Sequence, residues 1–378
     1  MTRTSPLLDE HVALGATLTD FAGWQMPLRY TSDIAEHHAV RSAAGLFDLS
    51  HMGEIAVVGP EAARALDVAL VGNLSALAVG RARYSMLCQE DGAVLDDVVV
   101  YRLAPDRFVV VANASNADVV LAELTERAAP FGAHVLDMSP ETALVAVQGP
   151  TSLEIVAAVA PGQLPVLDGL PYYAWATVRV LGIDVIVSRT GYTGEDGFEL
   201  YVPNALAVPL WRALLEAGTP LGLVPAGLAA RDSLRLEAGM PLYGHELDRT
   251  TTPFEAGLGR VVKLDKTDDD GAPLDFVGRA ALESRKGAQP ARVLVGLQGL
   301  GRRAARAGYP VLNGTDAEAV AVGTVTSGVP SPTLGFPIAL AYVTPELSGE
   351  GTELAVDVRG RAEPFRVVPF PFYRRPKS

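Results

Sequence analysis

Apolar and polar positions along the chain follow two rhythms. A helical rhythm opens it: Leu8 and Val12 share a face, Ser5 can cap, Pro6 suits a first turn and Gly15 is a stop. Residues 54–58 carry the period of a strand, Gly59-Pro60 breaks it, and Ala62, Leu66, Ala69 and Leu70 restore a helical face. The same order returns further on. Residues 143–148 predict a strand, Gly149-Pro150 a break, and Leu153, Val156, Ala157 and Ala160 a helix, so the two stretches are candidates for an internal repeat. Between them lie two strands, 94–103 and 107–113, joined at Pro105-Asp106, and a helix near 116–128. A hairpin over 176–189 turns at Gly182, and residues 208–217 and 226–237 are helical in pattern.

From about residue 265 the grammar changes. Asp268-Asp269-Asp270-Gly271 has the character of a solvated turn and Lys286-Gly287-Ala288-Gln289-Pro290 that of a linker. Short β-type runs follow at 293–297, 319–326, 338–343, 353–358 and 365–370, a pattern that fits a small antiparallel barrel or a sandwich. The fold class read from this is α+β, a large mixed N-terminal region followed by an all-β domain.

Composition narrows the function. A chain of 378 residues with 49% hydrophobic and 20% charged side chains is a packed globular protein of two or three domains. Its 31 basic against 44 acidic residues, a net charge of −13, disfavour nucleic acid as a partner. Cys88 is the only cysteine; it reads as a packed core thiol and excludes a disulfide framework. The histidines at 11, 37, 38, 51, 134 and 245 show no ligand spacing, so no metal is expected. No serine–histidine–aspartate grammar appears. An N-terminus without an apolar core, and no apolar stretch of membrane-spanning length, point to a cytoplasmic protein with no membrane partner.

Three clusters remain as candidate chemistry. Asp96-Asp97 interrupts the apolar run Val94–Arg102, and burying an unpaired carboxylate there costs several kcal/mol, about the scale of a lost hydrogen-bonded group or more. Strand alternation puts Asp96 on the face of Arg102, which can account for it, and Asp97 on the face of Leu95, Val99 and Tyr101, which carries no basic side chain. Asp97 is thus a candidate general base or cation anchor, with a hairpin cap after Asp91-Gly92 as the alternative. The run Arg189-Thr190-Gly191-Tyr192-Thr193-Gly194-Glu195-Asp196-Gly197-Phe198-Glu199 has glycines that allow a backbone close to a ligand, yet it is no phosphate loop. Phe198, Leu200 and Val202 would face the core and Glu199 and Tyr201 the other side, where a carboxylate suits a ring edge with adjacent N–H donors. An exposed hairpin glutamate is the alternative. Last, Arg231, Asp232 and Arg235 share a helix; arginine forks recognise carboxylates, and a surface ion-pair helix is the other option.

These segments resemble the aminomethyltransferase (T-protein) family of the glycine cleavage system over essentially the whole chain. The motifs are Asp20-Phe21-Ala22-Gly23-Trp24, Phe47-Asp48-Leu49-Ser50-His51-Met52-Gly53-Glu54, Arg83-Tyr84-Ser85, the Asp96-Asp97 strand, Gln148-Gly149-Pro150, Ser188–Glu199, Ala230-Arg231-Asp232, Ser327-Gly328, Ser331-Pro332-Thr333 and Pro371-Phe372-Tyr373-Arg374. The resemblance implies a multi-domain cloverleaf. It would have a folate-binding region over 1–275, built of two interleaved mixed α/β subdomains with antiparallel sheets (1–50 with 140–275, and 51–139), and a C-terminal antiparallel β-barrel over 290–378. It implies tetrahydrofolate as acceptor substrate, no metal, and transfer from the lipoyl arm of the H-protein with release of ammonia. It implies Asp97 as the key acidic group beside an iminium-like intermediate and Glu199 as the holder of the pterin edge. Arg231 would lie near the folate and Arg374 near its anionic tail, with Tyr84, Met52, Val99, Tyr101, Asn113 and Tyr192 as the remaining lining. An acidic H-protein docking on a chain of net charge −13 needs a local basic patch, for which Arg302, Arg303 and Arg306 with Arg374, Arg375 and Lys377 are the candidates. Relatives in the superfamily use the same folate site in flavin-linked dehydrogenases, a demethylase and an iron–sulfur maturation factor; a folate-binding scaffold without turnover is the competing reading.

Overall fold

The computed structural model describes residues 2–268 and 270–376, so Asp269 of the acidic turn and Lys377 of the basic patch lie outside the described residues. The chain forms two compact units. The first comprises the residues up to Ala69, Asn73–Ser85 and Val98–Asp232; the second comprises Leu70–Gly72, Met86–Asp97 and the residues from Ser233 onward.

Two sheets organise the first unit. A six-stranded sheet runs in the order Trp175–Val180, Ile183–Ser188, Gly197–Pro203, Thr142–Gln148, Ala44–Asp48 and Leu223–Pro225. Its central Thr142–Gln148 strand is buried on both faces, which is why it reads as an unbroken apolar run. The Trp175–Ser188 hairpin turns through Leu181 and Gly182, at φ 50° and 84°, the pair of positive angles a two-residue primed turn requires. Against this sheet lies the helix Asn204–Gly218, with Leu206, Leu210, Trp211 and Leu214 on its buried stripe.

The anticipated strand–Gly-Pro–helix repeat is present twice, as Gly53–Val58 before Ala62–Ala69 and Thr142–Gln148 before Ser152–Val159. Gly59 and Gly149 share an unusual backbone, φ 142° and 135°, and a Cβ on Gly149 would come 2.4 Å from the carbonyl oxygen of Ala43. The opening helix differs in detail from its expectation. It runs over Leu8–Ala13 with Val12 exposed and His11 buried, because Ser5 turns inward to donate to Asp48. His11 Nε2 meets the same carboxylate at 2.8 Å, and Tyr30 OH meets His11 Nδ1 at 2.9 Å. Serine and histidine both address the aspartate, so no nucleophile–base pair results. The trio anchors the N-terminal helix.

The second sheet has the order Ala82–Cys88, Val94–Ala104, Arg107–Ala112, Gly53–Val58 and His134–Asp137. Its register sets Glu54 and Val99 on either side of Val111, and Ala56 and Tyr101 on either side of Val109. Side chains in register point to one face, so Val99, Tyr101, Val109, Val111, Glu54 and Ala56 share a surface. Glu54, Ala56, Tyr101, Val109 and Val111 are buried there, and Met52, Val99, Trp175 and Tyr201 pack around Tyr101, Val109 and Val111.

In the second unit the β-runs close into a barrel rather than a sandwich. Val293–Gly299 pairs with Pro337–Val343 on one side and Ala362–Val368 on the other, and Ala321–Pro330, Pro310–Leu312 and Glu353–Asp357 complete the ring. Val295, Leu297, Ala339, Ala341, Val356 and Phe365 fill it, while Ile338, Leu340 and Tyr342 cover Leu236 and Leu294 outside. Cys88 is buried, as expected of a core thiol. Among the described residues no helix is long and apolar enough to cross a membrane.

Candidate functional site

Glu199 is placed by strand alternation. On Gly197–Pro203 the side chains of Phe198, Leu200 and Val202 are buried in the core of the first unit, and Glu199 and Tyr201 stand on the opposite face. Ser188 pairs with Glu199 across the neighbouring strand, and two residues on is Thr190. Thr190 donates to Glu199 Oε2, and the Tyr101 hydroxyl reaches the same oxygen at 3.5 Å. Behind them, Ser188 Oγ lies 2.7 Å from Thr190 Oγ1, Tyr101 OH lies 3.1 Å from Thr190 Oγ1, and Tyr201 OH donates to Tyr101 OH at 3.1 Å. Burial raises the Glu199 carboxyl above its ordinary range, and the Thr190 bond, the Arg231 charge and the Tyr101 bond draw it back. Burial also raises both tyrosines, so they act as neutral donors.

Arg231 is the cation of this cluster. It lies in the first turn of the helix Leu228–Glu237, and its guanidinium sits 4.6 Å from the ring centroid of Tyr192. Four residues later, Arg235 has a different employment. It is 1% exposed, donates to Glu246 at 2.9 Å and to Ser327 Oγ at 2.7 Å, and is therefore structural. Glu237 is likewise consumed by Ser331 and Thr333. The serine–proline–threonine motif thus fixes the helix end within the second unit.

Gly191 and Gly197 have a structural use beside the ligand approach anticipated for the loop. A Cβ on Gly191 or Gly197 would fall 1.9 Å or 2.4 Å from side-chain atoms of Gln148. Gln148 lies beneath the loop, donating to Thr190 O at 3.0 Å and accepting from Thr193 Oγ1 at 2.9 Å. Arg189 grips Asp196 with two bonds of 2.9 and 2.6 Å. These contacts anchor the loop that carries Thr190 toward Glu199.

On Val94–Ala104, Asp97 and Val99 are half-buried, whereas Asp96, Val98 and Val100 between and beside them are buried. Asp97 and Val99 thus form a half-buried stretch of one face, between the buried Leu95 and Tyr101. Arg102 donates to the carbonyl oxygens of Ser75 and Leu77 at 2.8 Å each and of Pro105 at 2.9 Å, so it serves a loop instead of Asp96. Met52, Tyr84, Asn113 and Tyr192 are all half-buried residues of the first unit. Asp97 and Arg374 belong to the second unit, where Arg374 is exposed after the last barrel strand. Arg302 and Arg375 are exposed as well, Arg303 pairs with Glu363 at 3.0 Å, and Arg306 donates to Gly328 O at 3.1 Å.

Sequence reasoning missed His51 and Glu54. His51 is buried, packs edge-on to Phe21 at 5.4 Å, and its Nδ1 has no hydrogen-bond partner. Burial pushes its pKa down to about 4, against the pull of Asp48 and with the help of Arg231. Glu54 is 1% exposed, and neither of its carboxyl oxygens has a hydrogen-bond partner. The signal for both lay in a polar–apolar–Gly–polar motif entering an apolar strand. Among the described residues no group of three or more His, Cys, Asp and Glu side chains is arranged to hold a metal ion.

Comparison with known proteins gives these features a context. The family model described as the GCVT N-terminal domain matches residues 7–266, and that of the glycine cleavage T-protein C-terminal barrel domain matches residues 292–374. The chain is 57% identical over 379 residues to an aminomethyltransferase of Streptomyces coelicolor, covering 99% of this chain and 98% of that one. It is 58% identical over 371 residues to one of Streptomyces avermitilis, covering 97% and 96%. The crystal structure of glycine cleavage system aminomethyltransferase T from Bartonella henselae superimposes with a TM-score of 0.88 at 38% identity, covering 99% of this chain and 98% of that one. With both family models matched in order and relatives alike over nearly their full length, this chain belongs to the glycine cleavage T-protein family.

Proposed function

We infer that this protein is a tetrahydrofolate-dependent aminomethyltransferase of the glycine cleavage system. The aminomethyl group arrives on the lipoyl arm of the H-protein; its methylene carbon passes to tetrahydrofolate, and ammonia and dihydrolipoyl H-protein leave. The carbon–sulfur bond and the carbon–nitrogen bond of the aminomethyl group break, and two carbon–nitrogen bonds to the folate form. The protons of the two folate nitrogens depart with the thiol and the ammonia.

The observation that carries this reading is Glu199. A half-buried carboxylate, tethered through Oε2 by Thr190 and Tyr101 and neighboured by Arg231, suits a planar heterocycle that presents adjacent N–H donors. Met52, Val99, Tyr101, Tyr84, Asn113 and Tyr192 would supply the mixed apolar and polar wall such a ring needs. Tetrahydrofolate, when bound, supplies the two nitrogens between which the one-carbon unit is fixed. Glu199 would orient the ring with Arg231 beside it, Arg374 would attract the anionic tail, and Asp97 would present a fixed negative charge where positive charge develops on the transferred carbon. The half-burial of Asp97 beside Val99 supports that role. We also propose a folate-binding region over 1–275 in two interleaved subdomains and a barrel domain over 290–378, a division that sheet membership supports. The arginines at 302, 303, 306, 374 and 375 are the proposed H-protein patch.

The test is folate-dependent ammonia release from aminomethylated H-protein, with wild type and Asp97→Asn. Turnover in the variant should fall at least a hundredfold, on the order of one removed electrostatic contact, with tetrahydrofolate affinity retained. Folate binding without ammonia release by the wild type would favour the scaffold reading instead.

A further inference from the structure

Glu54 has no use in the mechanism above, and the fold does not explain it. It belongs to Gly53–Val58, paired in register with Val111, on the sheet face that carries Val99 and Tyr101. A carboxyl that is 1% exposed and has no hydrogen-bond partner is costly; isolated ionised groups avoid this by taking a proton. Its surroundings favour that state. Burial, the leading cause, raises the Glu54 carboxyl well above its ordinary range, the acidic Asp137 and Glu199 add to this, and its own backbone N–H works against it. A neutral carboxylic acid has one O–H to donate.

An acceptor is close by. Tyr201 packs against Tyr101, Val109 and Val111, the last being the register partner of Glu54, and its hydroxyl donates to Tyr101 OH at 3.1 Å, leaving its own oxygen lone pairs as acceptors. The one Tyr101 proton can go to Glu199 Oε2 at 3.5 Å or to Thr190 Oγ1 at 3.1 Å, and because Thr190 itself donates to Oε2 both routes end on Glu199. The donors from Tyr201 onward can therefore align toward the Glu199 carboxylate. A chain polarised in one direction strengthens each of its bonds.

We propose that Glu54 is a positioning residue: as a neutral acid it swings onto the Tyr201 hydroxyl and heads a donor chain, Glu54 to Tyr201 to Tyr101, that ends on Glu199 and keeps that carboxylate ionised and aimed at tetrahydrofolate. This rests on the folate reading of Glu199. The chain acts against the burial that raises Glu199. Losing its head lets Glu199 protonate more readily, so folate binding should fail at a higher pH on acidification. The groups that set this limb are Glu54, Asp137, Glu199, Tyr101, Tyr201 and Arg231.

The experiment measures tetrahydrofolate affinity from neutral to acid pH in wild type, Glu54→Leu, Glu54→Gln, Tyr201→Phe and the Glu54→Leu/Tyr201→Phe double variant, with Glu199→Ala as control. Glu54→Leu and Tyr201→Phe should each weaken binding about threefold or more on the acid limb and move that limb to higher pH, and the double variant should do no more than either. Glu54→Gln, which keeps a donor, should retain the wild-type limb. Infrared difference spectra provide a measurement that does not depend on the leucine variant folding. A neutral-carboxyl C=O stretch should be present in wild type, absent in Glu54→Gln and displaced in Tyr201→Phe. A wild-type limb in Glu54→Leu, or a carboxyl band indifferent to Tyr201→Phe, overturns the chain while leaving the folate site intact, provided Glu199→Ala binds weakly. Unchanged affinity in Glu199→Ala overturns both.

Discussion

Replacing Glu199 with alanine tests the placement of the folate ring at its firmest contact. The carboxylate would face ring N–H donors, and a hydrogen bond to a charged acceptor is worth about 1.5–3 kcal/mol. Two such bonds, less what entering water recovers, give about 2–5 kcal/mol of lost binding, much of it the cost of leaving donors unpaired. That is roughly a thirtyfold to several-thousandfold rise in Kd. The fold should survive the change. Thr190 Oγ1 keeps Ser188 Oγ at 2.7 Å, Tyr101 OH keeps Tyr201 OH at 3.1 Å, and the penalty of burying the carboxyl disappears with it. Stability is therefore expected within about 1 kcal/mol of wild type. Fluorescence titration with tetrahydrofolate, paired with urea unfolding of the same samples, separates the two effects. An affinity within a factor of two of wild type in a folded variant would refute the ring's placement against Glu199.

Arg231 and Arg235, one helical turn apart, should behave oppositely. Arg235→Ala strands the buried Glu246 and should cost about 3–5 kcal/mol in urea unfolding, whereas Arg231→Ala should show itself in weaker tetrahydrofolate binding, the ring contact with Tyr192 that it gives up being worth about 0.5–1 kcal/mol. His51 predicts a pH dependence. A histidine whose pKa falls on folding contributes stability that is complete above its ordinary 6.5 and is lost as pH falls toward about 4. At about 1.4 kcal/mol per pKa unit, the gap between wild type and His51→Phe should change by roughly 3 kcal/mol across that window, and parallel stability–pH curves would show that burial does not govern His51.

Much of this was open to reading in the sequence because strands and their alternation are local facts. The sides taken by Phe198 and Leu200 against Glu199 and Tyr201, and by Asp97 against Asp96, follow from a period of two and survive any tertiary arrangement. The barrel strands were visible as runs, but the three-residue strand Pro310–Leu312 was too short to register, and closure depends on pairing between distant segments. Unread altogether were the hairpin Thr17–Arg29, whose second strand contains Pro27, and the helix Asp33–Ser42, which is largely polar. The role of Gln148 was hidden for a different reason. A glycine-rich loop looks the same whether its missing side chains admit a ligand or another residue of the chain, and only the long-range contact with Gln148 decides. Arg235 was ambiguous likewise: helical spacing makes it a neighbour of Arg231, and only its partners Glu246 and Ser327 assign it to structure.

What the fold satisfies and what it leaves unsatisfied divide the polar residues into two kinds. Arg235, Glu237 and Gln148 are buried and held by several bonds each, and once those bonds are counted nothing about them asks for a ligand. Native proteins pair the large majority of buried polar atoms, so the exceptions carry information. Here two of them, His51 Nδ1 and the carboxyl of Glu54, fall within the four residues His51-Met52-Gly53-Glu54. Packing alone would be better served by apolar side chains at both positions, since a leucine or phenylalanine would avoid the desolvation that drives both pKa values away from their ordinary range. Such groups are retained where activity needs a destabilised residue, and stability is what is given up. On that argument the stretch His51–Glu54 marks a side from which the chemistry of the first unit is tuned, with Glu199 and Arg231 as the groups through which the tuning is felt.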